Sequence, residues 1–382
     1  MEGNPARSRS RRRASAPEQV AAHHTVNAVV AERRLRNQLV TGAGLGRPRE
    51  VVAWLGAVQA QEFEPAKWAL GLRLQGATLA DIEHAFDEGR VLRTHVMRPT
   101  WHFVAPADIR WLLELTAPRV HRVMASYNRR LELDARTLAR GTAVIERALR
   151  DGRYLTRTEL GDRLQRVGLT MTGQRLAHLV MHAELEGIIC SGPRRGKQLT
   201  YALLAERAPA ARRLSRDEAL ASLARRFFRS HGPATVPDFV WWSGLTTTDA
   251  RRAIDMIRAR RQEIEGLTYW AVGREPARAA RAHLVHLLPI YDEYLVAYRD
   301  REAVPHGPSV VASRSGGPVT FQHAVVLAGQ VMGTWRVTRR PRGVLVTVAP
   351  LRRLSGEERR ALEEAAHRYG EFVSVPMELE VR

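Results

Sequence analysis

"TMTGQRLAHLVMHAELEGIICSGPRRGKQLTYAL", residues 170–203, sets the reading of the whole chain. Its first half reads as one helix, and its second half as two short strands. They flank a tip of Gly192, Pro193, Arg194, Arg195, Gly196 and Lys197. Upstream, "ARTLARGTAVIERALRDG" (135–152) and "TRTELGDRLQRVG" (156–168) read as two more helices, the second starting near Thr156 or Thr158. Three helices and a basic-tipped hairpin make a winged-helix unit, a standard arrangement for reading DNA.

The same order recurs on both sides. Before it, "AERRLRNQLVT" (31–41) reads as a helix and "GAGLGRP" (42–48) as a glycine-requiring turn. "REVVAWLGAVQ" (49–59) reads as a second helix, opened by Pro48 and striped by Val51, Val52, Leu55 and Val58. "QEFEP" (61–65) breaks that periodicity, so the helix is expected to end near Gln61. "TLADIEHAFDEG" (78–89) is a helix capped by Thr78, and "VLRTHVMRPTWHFV" (91–104) alternates like paired strands interrupted at Pro99. An amphipathic helix, "APADIRWLLELTAPRVHRVMAS" (105–126), leads out. After the linker "AERAPAARRLS" (205–215), a third copy runs through "RDEALASLARRFFRSHG", "TVPDFVWWSG", "TTTDARRAIDMIRA" and "EIEGLTYWAV". Thr235 and Thr246 to Thr248 are its candidate caps.

The expected fold is mainly α with small β-hairpin wings, an α+β chain of tandem winged-helix units and a C-terminal α+β domain. The expected division is a disordered basic tail at 1–24, unit 1 at 25–125, unit 2 at 126–206, unit 3 at 214–280 and the C-terminal domain at 281–382. That last domain holds "AHLVHLLPIYDEYLVAYRDRE", a Gly/Ser/Pro loop at 305–318, a strand meander and a closing helix at 355–373.

Net charge +20 over 382 residues favours a polyanionic partner, because a cationic surface releases the counterions of nucleic acid. Nearly all of that charge is arginine, with Lys67 and Lys197 the two lysines. No apolar run reaches the ~20 residues a membrane span needs, no charged leader precedes a hydrophobic segment, and the single Cys190 excludes an internal disulfide framework. A cytoplasmic, nucleoid-associated protein with no membrane or obligate protein partner is expected.

Four stretches in this order, "VQAQ" (58–61), "LRTHVMRPTWHFV" (92–104), "LLPIYDEYLVAYRDR" (287–301) and "GTWR" (333–336), resemble the winged-helix DNA glycosylases of the AlkZ/YcaQ type. The resemblance covers most of residues 25–375. It departs at Pro99, where relatives often carry glycine. In that family a Gln-x-Gln or Gln-x-Asp pair is the catalytic signature, so the resemblance makes Gln59 and Gln61 the catalytic residues. It further implies excision of bulky or cationic alkylated purines, in some members as self-resistance to a DNA-alkylating natural product.

The chemistry of the residues agrees. An amide carbonyl accepts a hydrogen bond from water and its NH2 donates elsewhere, so two amides orient water without deprotonating it. Such weak assistance suits a purine alkylated at N7 or N3, already cationic and a good leaving group. The shortage of lysine argues for a water-using, monofunctional enzyme, with no cofactor and no metal. His95, Arg98 and His102 on the first hairpin and Arg194, Arg195 and Lys197 on the second wing are the candidate DNA contacts. Trp68 and Trp101 are candidates to stack a displaced base, and Glu62 and Glu64 to help hold water.

Three further readings compete. His178 and His182 have the i, i+4 spacing of metal ligands but no third ligand in register. Asp292, Tyr294 and Asp300 read as structural contacts. A noncatalytic winged-helix DNA-binding protein or regulator is the alternative to the enzyme, and an RNA-binding role lacks any matching signature. Both amides lining one basic cleft would favour the enzyme.

Overall fold

A computed structural model describes residues 28–274, 284–299 and 322–382. The basic segment 1–24, the loop 305–318 and Asp300 lie outside the described residues.

The chain opens with helix α1 (residues 28–37), then α2 (Pro48–Leu55), strand β1 (Val58–Gln59), α3 (Phe63–Gly71), α4 (Leu79–Asp87), β2 (Leu92–Val96) and β3 (Arg98–Val104). The strands form a sheet in the order β1-β3-β2. After the long α5 (Ile109–Arg130) the same arrangement returns as α6 (Ala135–Leu149), β4 (Leu155–Thr156), α7 (Arg157–Gln165), α8 (Gly173–Leu185), β5 (Ile189–Ser191) and β6 (Thr200–Leu203), in the order β4-β6-β5. Helix α9 (Leu204–Arg207) leads to a reduced third copy: α10 (Arg216–Ser230), α11 (Val236–Ser243), α12 (Thr247–Asp255) and the hairpin β7 (Arg260–Ile264) and β8 (Leu267–Ala271). There a single bridge between Ala234 and Trp270 stands in for the first strand.

The chain ends in a five-stranded sheet. Strands β9 (Val285–Leu288), β10 (Ala324–Leu327), β11 (Gln330–Arg340) and β12 (Gly343–Pro350) are antiparallel. The short α13 (Glu293–Val296) follows β9, and α14 (Gly356–Val373) crosses over to β13 (Met377–Val381), which joins β12 in parallel.

Helix starts follow local chemistry. Thr78, Thr156, Ser215, Thr235 and Ser355 each close a capping box with the acid three residues on, satisfying two otherwise orphaned backbone donors.

The structure departs from the sequence reading in three places around the first unit. Helix α2 ends at Leu55, because Gly56 turns the chain at φ +90°, so the glutamines lie beyond the helix. Pro65 does not break a helix but sits in the first turn of α3, where no intrahelical N–H is required. Strand β3 runs through Pro99. It bulges where the register jumps between the His95–Trp101 and Val96–Arg98 pairs, so the missing N–H of proline falls outside the ladder. Helix α1 packs on the first unit, where Trp54 Nε1–H donates to Asn37 O at 2.7 Å, and also bridges to the third: Asn37 Nδ2 donates to Gly232 O at 2.6 Å and Arg34 Nε to Pro233 O at 2.9 Å.

Two apolar cores meet at the first unit. One joins Val51, Val52, Leu55 and Phe86 to Val285, Leu287 and Phe372 of the C-terminal region. The other joins Leu92, Val96 and Trp111 to Phe227, Phe239 and Trp242 of the third unit. The second unit has its own core around Ile145, Leu160 and Leu179, and touches α5 through a small strip of Ala117, Val120, Met124, Met181 and Leu185.

Gly244, the left-handed cap of α11 at φ +69°, presses on the first hairpin's turn, where an added Cβ would lie 2.2 Å from Met97 O. Gly244→Ala is expected to destabilise the fold by roughly 2–4 kcal/mol through αL strain and this clash. The measurement is a denaturant melt, with the midpoint shifted down and the slope unchanged.

Candidate active site

Between Gly56 and α3 the chain runs as the two-residue strand Val58–Gln59 and then bends at Gln61 and Glu62. Val58 lies opposite Phe103 and Gln59 opposite His102, and the Ala60 N–H donates to Trp101 O at 2.7 Å. The two amides reach β3 separately, Gln59 through Arg98 and Gln61 through the Trp101 N–H, with Ala60 buried between them. A helix would have set them about 200° apart.

The register sorts the hairpin's side chains. Thr94 and His102 stand opposite each other, beside Gln59, on one face of the sheet; Arg93, His95, Trp101 and Phe103 belong to the other. On the Gln59 face, Arg98 Nη2 donates to Gln59 Oε1 at 3.0 Å. The Trp101 N–H points to Gln61 Oε1 at 3.4 Å, a long contact. Gln59 is 9% exposed and Gln61 half-buried, so the two amides are not equally open. Thr94 Oγ1 and His102 Nε2 are buried there with no hydrogen-bond partner among the described residues. Unsatisfied buried polar atoms of this kind mark a place where water or a substrate atom belongs.

Beneath the strand lies Glu293. Its Oε1 accepts the Gln59 N–H at 2.7 Å, its Oε2 accepts Trp242 Nε1–H at 2.9 Å, and His231 Nε2 is 3.4 Å away. Burial alone would raise the Glu293 carboxyl, but His231 and the Gln59 N–H outweigh it and hold the group well below the carboxylate range. Burial pulls the Arg98 guanidinium down, and the Glu293 charge works against that pull. Burial, with Arg98 nearby, depresses the His102 imidazole to about 3.

The remaining candidates are placed elsewhere. His95 Nδ1 pairs with Glu184 of α8, and its ring centroid is 4.0 Å from that of Trp101, which also packs against Arg93 at 4.4 Å. His95 is thus a tie between the first and second units on the face away from Gln59. Arg194 bonds Asp87 and Glu83 of α4, and Arg195, which stays exposed at the wing tip, bonds Glu159 and Tyr154 O. Lys197 stands exposed at the wing tip.

Lys67 is not a solvated lysine: it is 1% exposed, with Nζ 2.9 Å from Glu64 and 2.6 Å from Glu83. Glu62 is exposed, and Trp68 is core, its Nε1–H donating to Leu287 O. Asp292 grips Arg73 through two 2.8 Å bonds, and the Tyr294 hydroxyl donates to Gly329 O, both structural. The Cys190 thiol is buried and pushed up to about 12 by that burial. His178 turns to Asn128 Oδ1 at 2.9 Å, away from His182.

Sequence reading missed Glu293, His231, Trp241 and Trp242. Trp241 is 43% exposed, with the Arg98 guanidinium 5.9 Å from its ring centre. The available signals were an acid inside the apolar run "PIYDEYLVAY" and a Trp-Trp pair beside a glycine cap.

A family model described as DNA glycosylase AlkZ-like matches residues 52–372. The chain belongs to the AlkZ-like DNA glycosylase family. It is similar to an interstrand DNA cross-link repair glycosylase of Streptomyces sahachiroi, at 25% identity over 320 residues, covering 80% of this chain and 86% of that one. The solved structure of the Streptomyces sahachiroi DNA glycosylase AlkZ superposes with a TM-score of 0.74 at 23% identity, covering 93% of this chain and 98% of that one. Family membership makes DNA the substrate of this enzyme. No helix among the described residues is long and apolar enough to cross a membrane.

His102 is expected to stay neutral across the working range. A depressed folded pKa means that the unfolded chain binds the proton first, so this group costs stability as pH falls from about 6.5 toward 3. Imidazole 15N shifts should show His102 uncharged at pH 5; a His102 titration near 6.5 would refute the assignment.

Proposed function

We propose that the protein is a monofunctional DNA glycosylase that removes bulky or cationic alkylated purines, N7 or N3 adducts, from duplex DNA. The observation that carries this reading is that the reactive strand offers two amides while Lys67, the lysine near it in sequence, is locked between Glu64 and Glu83. Without a free amine beside the motif, a water-using reaction is favoured over a Schiff base.

Glu293 does not supply a strong base in its place, because it is fully buried and its partners hold its carboxyl below the usual carboxylate range. With Lys67 locked and Glu293 engaged, the amides position water and exclude bulk solvent, and the leaving group's own positive charge does the rest. Arg98 fixes the Gln59 carbonyl, so the amide orientation is set before substrate arrives. Trp241, exposed beside Arg98, is the ring best placed to meet a base drawn out of the stack.

The relative's name specifies interstrand cross-link repair, and a cross-link is a bulky adduct; self-resistance to a DNA-alkylating natural product is the setting we infer. On this reading the protein works at the nucleoid, and Lys197 with the other exposed cations contacts backbone phosphates.

The test is single-turnover release of base from duplex DNA carrying N7-alkylguanine, with free base resolved from strand cleavage. Wild type should release base and leave intact abasic strands. Gln59→Ala and Gln61→Ala should each lose about 100-fold or more if the amides place the nucleophile. Trp241→Ala should be impaired more with a bulky adduct than with a methyl one. Uracil-containing duplex should be a poor substrate. Wild-type rates retained by the double glutamine variant, or a strand-linked covalent intermediate trapped by borohydride, would overturn the mechanism.

A further inference from the structure

The i, i+4 histidine pair of α8 does not act as a pair, but its second member meets different partners. His182 lies in the last turn of α8, Glu186 follows it by one helical turn at the cap, and His121 projects from α5. One ligand atom from each of the three lies within 4.8 Å of the others. The two imidazole rings are 5.2 Å apart, and His121 Nε2 is 2.9 Å from Glu186 Oε1. His182 Nδ1 is buried without a hydrogen-bond partner.

We propose that His121, His182 and Glu186 bind a single divalent transition-metal ion of the zinc type, which clips α8 of the second unit to α5. Two imidazoles and one carboxylate from two helices make a three-ligand set that leaves a fourth, tetrahedral position for water. The nitrogen-rich set disfavours calcium and magnesium, which take oxygen ligands. A simple His121–Glu186 ion pair accounts for two of the three groups but leaves the buried His182 nitrogen unbonded; a metal satisfies all three.

The position has a use as well. His121 adjoins Val120 and His182 adjoins Met181, two of the five residues in the thin apolar strip joining α5 to α8. The second unit has a core of its own, so a metal at that strip would add to the ties holding it.

The experiment is titration of tag-free, full-length protein with Zn2+ by calorimetry, with Co2+ absorption as a second readout. Wild type should bind about one equivalent at micromolar affinity or tighter, with visible Co2+ bands of a low-symmetry nitrogen–oxygen site, and its Tm should rise by a few degrees. His182→Ala and Glu186→Gln should each weaken binding by more than about 30-fold, whereas His178→Ala, on the same helix but off the cluster, should not. Circular dichroism checks that each variant is folded, and Glu186→Gln conserves shape if the histidine variants are not. No uptake by wild type, or the same stoichiometry and affinity in folded Glu186→Gln as in wild type, would overturn the site.

Discussion

A buried carboxylate is the constraint on which the rest of this site depends. Glu293 comes from the C-terminal region, accepts the backbone N–H of Gln59 in the first unit and the indole N–H of Trp242 in the third, and sits beside His231. A charge in that position is tolerable only because its partners are fixed, and removing one partner would leave the others desolvated and unpaired. The Val58–Gln59 strand is therefore held by its main chain from below. That leaves the side chains of Gln59 and Gln61 free of the job of anchoring it.

The electrostatics of the site follow from the same group. Arg98 can remain charged at the edge of the core because Glu293 offsets its burial, and Arg98 in turn fixes which end of the Gln59 amide faces outward. His102 is kept neutral by its surroundings and contributes no charge. On the reading proposed above, a site of neutral amides with balanced charges does not push protons; it places atoms.

The fold was legible in the sequence where local signals are strong. Capping residues such as Thr78, Thr156 and Thr235, and the glycine-containing hairpin tip at residues 192–197, mark element boundaries through chemistry within four residues of themselves. The short first strands were not legible, because Val58–Gln59 and Leu155–Thr156 are too brief to show alternation and are defined by pairing with strands more than 40 residues away. The same limit governs the site. Gln59 and Gln61 stood out through a resemblance, whereas Glu293 lies 234 positions from the strand it supports, and nothing local distinguishes it from Asp292. Arg194 and Arg195 looked like wing-tip cations, but their acidic partners Asp87, Glu83 and Glu159 come from helices that the fold alone brings alongside.

The brevity of the Val58–Gln59 strand carries a consequence for how this chain tolerates change in length. Gly56 and the ladder to β3 clamp the segment at both ends, with Val58 opposite Phe103 and Gln59 opposite His102. Because alternate residues point to opposite sides, losing or gaining one residue there would shift the register against β3 and move the Gln59 amide to the other face of the sheet, away from Arg98. Composition and overall charge would be untouched. The segment therefore behaves like a reading frame: substitutions at Ala57 or Ala60 are questions of volume, but a single-residue indel inverts the site.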